Sequence, residues 1–226
     1  MIRTLIALLF VLAACTSPAS PTAEPTPSPT QQPSDSRSAS PEPTDDASPD
    51  ATPQGSEGSF GGFTIPANAE ADALFEETNS CQNLDDGYEV DFPAEWNANA
   101  EAGGVAQCSW FAPTEYETGA PDTVPDEVAI VIFRVAGERD YGPAEEIDRA
   151  EGFVGVTQPA YRVMLDYDED SGNQRVYEYV IQLGPTLEEG PNLVAGTSSE
   201  MGGDFELNQA VLDRVMASME LIGTIE

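Results

Sequence analysis

The C-terminal part of this chain predicts an α+β domain, a mostly antiparallel sheet with packed helices, and three observations carry that expectation. Several segments between Tyr88 and Glu200 alternate or run apolar over strand lengths, with Gly, Pro, Asp or Asn between them. A stretch near each end of this region has helical rather than strand spacing. From residue 16 to about residue 62 the chain lacks periodic apolar residues altogether, which sets that part aside as a tether.

Residues 64–226 give about 160 residues, enough for one core that buries roughly 70% of the unfolded surface. A helix is predicted first, over residues 67–78, with Ala71, Leu74 and Phe75 on its apolar side. Tyr88-Glu89-Val90-Asp91-Phe92 alternates as a half-buried strand does, and Pro93 stops it. Residues 104–111 supply a second short strand containing Cys108 and Trp110, and a long acidic loop with Pro113, Gly119, Pro121 and Pro125 follows.

Residues 128–135 form the most hydrophobic run, which predicts a central strand covered on both faces. Gly142-Pro143 fits a helix start, with Pro143 in the first position and Glu145, Glu146 and Ile147 in the early turns. Residues 153–156 read as a short strand, and 161–167 and 175–183 as longer ones joined by a polar loop. A last strand is expected over 192–200. Asp204 then caps a helix to about Met219 whose stripe holds Phe205, Val211, Leu212, Val215, Met216 and Met219. Helix, strand meander, helix is an α+β order.

Composition excludes much chemistry. There are 41 Asp and Glu against 8 Lys and Arg, all of them Arg, with no His. Without His, Ser-His-Asp and Cys-His nucleophiles and His-ligated zinc or copper sites are impossible. Without Lys there is no phosphate-loop lysine and no Schiff base. The net charge of −33 repels nucleic acid and anionic lipid headgroups, so nucleic acid is not an expected partner. No cofactor or metal is expected, and a monomer is.

At the other end, Arg3 precedes the uninterrupted apolar run Leu5-Ile6-Ala7-Leu8-Leu9-Phe10-Val11-Leu12. That is far short of the roughly 20 apolar residues a membrane span needs, so residues 1–14 read as a signal peptide. Leu12-Ala13-Ala14-Cys15 resembles the lipobox of bacterial lipoproteins: an aliphatic residue, two small ones, then the cysteine that receives the acyl chains, palmitate among them. The resemblance implies lipidation of Cys15 and a protein held on the extracytoplasmic face of the cell membrane, anchored rather than spanning. Residues 15–63 are Pro, Ser, Thr, Ala and acid, expected to be disordered because nothing there offsets ordering entropy. As a flexible coil the stretch holds the domain on the order of 35–40 Å from the membrane. Its Ser/Thr-Pro content also permits glycosylation. With Cys15 acylated, Cys81 and Cys108 remain, an even pair that in an exported protein predicts one disulfide.

Tyr88-x-Val90-x-Phe92-Pro93-x-x-Trp96, the Cys108-Ser109-Trp110-Phe111 strand and a closing helix ending Ala217-Ser218-Met219 are similar to actinobacterial lipoproteins of the PsbP-like superfamily, the LpqN-type lipoproteins among them. That resemblance covers most of residues 80–222. It implies an antiparallel sheet with helices packed on it, a PsbP-like sandwich serving as a binding or accessory module. No catalytic residues come with it.

Several constellations compete with that reading. Asp166-Tyr167-Asp168-Glu169-Asp170-Ser171-Gly172 echoes the first half of a calcium loop. An EF-hand starting at Asp166 would need Gly at position 171 and Glu at 177, and each falls one residue late. A solvated hairpin tip fits better. Asp170-Ser171-Gly172 matches the aspartic-protease triplet, but that chemistry needs two such carboxylates in apolar strands. Trp96, Trp110, Tyr116 and Tyr141 are candidates to line a ligand groove, against the plainer role of core or core rim. The expected function is a non-catalytic, lipid-anchored cell-envelope module that binds a protein or envelope component. The alternative is a carboxylate-only hydrolase acting on envelope polysaccharide, which needs a suitably spaced carboxylate pair.

Overall fold

The computed structural model describes residues 57–155, 157–168 and 173–222; Cys15 and the rest of the unit Met1–Ala47 lie outside them. The chain first doubles back in a hairpin of β1 (Gly58–Phe60) and β2 (Phe63–Ile65), turning through Gly61 and Gly62 at φ of 51° and 96°. Both positions need the left-handed region, which glycine enters without a Cβ clash. The hairpin begins within the stretch assigned to the tether. Two aromatic side chains hold it: the rings of Phe60 and Phe63 lie 6.0 Å and 5.2 Å from that of Tyr179.

Helix α1 (Ala69–Leu74) is shorter than the 67–78 expected. Asn68 caps it, accepting the Ala71 amide at 3.0 Å. The residues predicted to continue it instead enter β3 (Thr78–Asn83), which pairs antiparallel with β4 (Tyr88–Pro93). Asn83 Oδ1 closes their turn by accepting the Asp85 and Asp86 amides at 3.1 Å and 2.9 Å. The alternation of β4 is as expected, with Tyr88, Val90 and Phe92 buried.

A larger antiparallel sheet follows: β5 (Asn97–Ala98), β6 (Trp110–Ala112), β7 (Ile130–Ala136), β8 (Glu145–Val154), β9 (Gln158–Asp166), β10 (Arg175–Gln182) and β11 (Pro191–Ser198). Their spatial order is β5-β6-β7-β11-β10-β9-β8. Helix α2 (Phe205–Ser218) and a short β12 (Glu220–Leu221) beside β4 complete the described chain. Asp204 caps α2 as expected, taking the Leu207 amide at 2.9 Å. Among the described residues no helix is long and apolar enough to cross a membrane.

Three expectations are corrected. The helix start expected at Gly142-Pro143 and the short strand expected from Phe153 are replaced by one ten-residue edge strand, β8 (Glu145–Val154). Pro143 and the acids after it suit a helix N-terminus, but pairing with β9 from Glu145↔Asp166 to Val154↔Gln158 overrides that preference. Arg149 adds to it, its guanidinium 4.0 Å above the Tyr161 ring. The strand expected over 104–111 is confined to β6, and Cys108 precedes it at φ 64°. The middle of the sheet is β11, whose residues after Pro191 are all buried, whereas β7 has its exposed positions toward Ala136. The domain is therefore sheet-dominated, with few helices: the mostly antiparallel sheet is as expected, and the packed helices of the α+β expectation are met only in part.

Two apolar clusters sit on opposite faces of the large sheet. On the front face α2 packs Val211, Leu212, Val215 and Met216 against β4 and against Tyr179, Ile181, Leu193 and Ala195. The back carries Tyr161, Val163, Leu165, Val180 and Val194, partly covered by Tyr141, Ala144 and Leu187. Cys81 and Cys108 form the predicted disulfide, Cα atoms 5.8 Å apart, tying β3 to the approach of β6.

Candidate functional site

The groove for which Trp96, Trp110, Tyr116 and Tyr141 are candidates is not formed, and the plainer role of core or core rim fits them. Trp96 is in the front core, Trp110 and Tyr116 share a small cluster with Val105 and Val128, and Tyr141 lies on the back face. Only one pair stays in contact, Tyr116 donating to the Trp110 carbonyl at 2.7 Å. Burial pushes that phenol up to about 12. Of the acid-rich 166–172 segment, residues 169–172 lie outside the described residues, and with them Asp170-Ser171-Gly172. Its flanks are the strands β9 and β10, joined by Tyr167 N to Gln174 O at 2.9 Å and Asn173 N to Asp168 O at 2.8 Å. Among the described residues no group of three or more His, Cys, Asp or Glu is placed to hold a metal ion.

A polar cleft of about 400 Å³ lies elsewhere, on the front face beside the first half of α2. Strand alternation builds its floor: the register Tyr179↔Arg162 and Tyr177↔Met164 turns these side chains to the same side of the sheet. Helical spacing builds its wall. Glu206, Gln209, Ala210 and Asp213 recur at i, i+3, i+4 and i+7 along α2, and all four border the cleft. The link between β2 and α1 (Pro66 to Asn68), Asp148 of β8 and Arg175 of β10 close the remaining sides.

Asp213 is the centre of this arrangement and is 2% exposed. Its Oδ1 accepts the Tyr177 hydroxyl at 2.6 Å and the Tyr179 hydroxyl at 2.7 Å. Burial holds the Asp213 carboxyl above the usual carboxylate range, against the opposing pull of the two phenols and of Arg162 and Arg214. Burial likewise raises both phenols, and the Asp213 charge raises them further, so they remain donors at physiological pH. Arg162 Nη1 donates to the Thr64 carbonyl at 2.9 Å, and Nη2 lies 3.6 Å from Asp148 Oδ2. Its guanidinium stands 5.7 Å over the Tyr177 ring, and its buried Nε has no hydrogen-bond partner.

A carboxyl of raised pKa in a cleft is the raw material of a general acid. Here the accepting oxygen is taken by two phenols, and the neighbouring Asp148 is paired with Arg162. The arrangement serves better as a fixed framework of donors and acceptors than as a free acid–base couple.

None of these residues was singled out from the sequence, though signals existed. Arg162 interrupts an apolar strand on the same parity as Ala160 and Met164, and Asp213 sits between Leu212 and Val215 of the apolar stripe. A charge on a core face requires a partner, and here Arg162 lies over the ring of Tyr177, which donates to Asp213.

No protein-family model matches this chain, and no curated protein matches it. Among solved structures it is similar to the solution structure of cyanobacterial PsbP (CyanoP) from Synechocystis sp. PCC 6803. That likeness covers 64% of this chain and 92% of that one, at 14% identity and a TM-score of 0.38. At that depth it carries no argument about function. The fold and site together define a sheet-dominated, mostly antiparallel, disulfide-stapled domain with a polar cleft on the front face of its large sheet.

Proposed function

We propose that this protein is a lipid-anchored module of a bacterial cell envelope, tethered through Cys15 on the extracytoplasmic face, that binds an envelope component or protein without catalysing its conversion. The observation that carries the non-catalytic reading is the commitment of two of the three cleft carboxylates: Asp213 to two phenols and Asp148 to Arg162. A PsbP-like assignment rests on the Tyr88–Trp96 and Cys108–Phe111 motifs, which fall on β4 and its exit and on the approach to and start of β6. The acid excess argues against nucleic acid as the partner.

One observation favours the competing reading, a carboxylate-only hydrolase of envelope polysaccharide: the raised pKa of Asp213 in a cleft it shares with Asp148 and Glu206.

Labelling the producing cells with a clickable fatty acid tests the anchor. The wild type takes up label and fractionates with membranes, whereas Cys15→Ser takes up none and is released. Equal labelling of both, or of neither, removes the lipoprotein reading.

A further inference from the structure

The cleft beside α2 has a chemistry that selects among ligand classes. Two arginines, Arg162 and Arg175, and three acids, Asp148, Glu206 and Asp213, line it together with the amide of Gln209. Arginine only donates hydrogen bonds, an ionised carboxylate only accepts, and an amide does both. A ligand of one charge sign would therefore share the cleft with side chains of its own sign. It would also enter a protein of net charge −33, which penalises an anion from a distance. A hydroxyl donates one hydrogen bond and accepts two, so a neighbouring guanidinium and carboxylate satisfy it together.

The non-polar lining completes the match. Met164, Pro66, Ala67 and Ala210 present carbon to the same space, as the C–H faces of a sugar ring require while its hydroxyl edges meet the charges. Two of the charged groups are preset: Arg162 is pinned by Thr64 and Asp148, Asp213 by Tyr177 and Tyr179. Arg175 is steadied with its guanidinium 5.8 Å from the Phe205 ring centre. Groups held in place before binding lose little entropy on binding. The volume of about 400 Å³ lies within the usual range for small-ligand sites.

We propose that this cleft binds a neutral, polyhydroxylated ligand, a short uncharged saccharide segment, through Arg175, Gln209 and Glu206 at its rim. The proposal rests on the reading of the protein as a binding module and names the component it would bind.

The full chain in detergent, printed against an array of neutral oligosaccharides with uronic-acid and amino-sugar oligomers and basic peptides alongside, tests it. The expected result is retention of at least one neutral oligosaccharide. Its affinity should fall about tenfold or more in Arg175→Met and in Gln209→Leu, the loss of one charged or paired hydrogen bond. Phe153→Ser, on the opposite sheet face, should bind as the wild type does. Retention only of the charged glycans or peptides overturns the saccharide proposal and leaves the binding reading standing. Retention of nothing overturns the proposal, as does neutral-glycan binding indifferent to both rim variants. A neutral oligosaccharide that is bound and then cut supports the ligand class but removes the non-catalytic reading.

Discussion

The two faces of the large sheet are held by different physics. On the front, α2 lays a continuous apolar stripe across β10 and β11, and Leu212, Val211 and Met216 are fully buried. On the back, no helix among the described residues packs, and residues 137–144 strap the apolar cluster with polar bonds. Arg139 meets Glu178 at 3.1 Å and 3.3 Å, Tyr141 and Tyr161 share a 3.3 Å hydroxyl contact, and Tyr167 donates to the Tyr141 carbonyl at 3.1 Å. Gly196 makes room for this: a Cβ there would lie 2.8 Å from Glu178 Cγ. A face covered by a helix can carry a cleft at that helix's edge without losing its core. One covered by a strap has little packing to spare.

The largest effects should come from the front and its staple. Leu212→Ala is expected to cost about 2–5 kcal/mol, as cavity-forming changes in a packed core do, read by denaturant unfolding. Cys108→Ser opens a loop of sequence separation 27. On the chain-entropy model that loses about 3–4 kcal/mol, or about 7–14 °C in a domain of this size. Arg139→Ala strips the partner from Glu178, whose side chain is 6% exposed. Because Arg139 itself is a third exposed, water softens the loss to about 1–3 kcal/mol. Hydrogen exchange should show the difference in kind: Arg139→Ala releases residues 137–144 first, whereas Leu212→Ala lowers protection of α2, β10 and β11 together. Equal, global loss in both variants would erase the distinction between the faces.

Smaller effects follow from charge. Asp213 has a folded pKa above its ordinary 3.8. Its contribution to stability is therefore full below that ordinary value and is lost as pH rises through the raised one. Asp213→Asn should melt a few degrees higher than wild type at about pH 7, with the gain gone near pH 4. A variant less stable at both pH values would show that the ionised carboxylate is worth more to the phenols than its burial costs. Ion pairs among the described residues include Arg139–Glu178, Arg149–Glu146, Arg162–Asp148 and Arg214–Asp72, but 8 arginines cannot pair 41 acids. Shortening the Debye length to about 3 Å at 1 M salt should relieve their repulsion, so melting temperature is expected to climb with sodium chloride. A flat series would contradict this.

Elements with strong local signals were legible in the sequence. The alternation of Tyr88, Val90 and Phe92, the Asp204 cap and stripe of α2, and the lone cysteine pair each carried a local rule that the fold obeys. β3 was not legible, because Thr78-Asn79-Ser80-Cys81-Gln82-Asn83 has no apolar period and owes its pairing to β4. β8 was misread because its first residues satisfy helix-start chemistry, and only contact with β9 decides against it. The cleft stayed hidden for a related reason. Arg162 and Asp213 are 51 residues apart in the sequence, and only the register of β9 on β10 beneath α2 brings their surroundings together.

Reducing-end release from purified envelope polysaccharide tests most directly whether the cleft binds without cutting. The full chain in detergent would be incubated beside Asp213→Asn and Glu206→Gln over a pH series spanning the raised carboxyl range. The expected result is no release above a protein-free blank from any of the three. Release by the wild type that disappears in Asp213→Asn while the fold survives would make Asp213 a catalytic acid and contradict the binding-module reading.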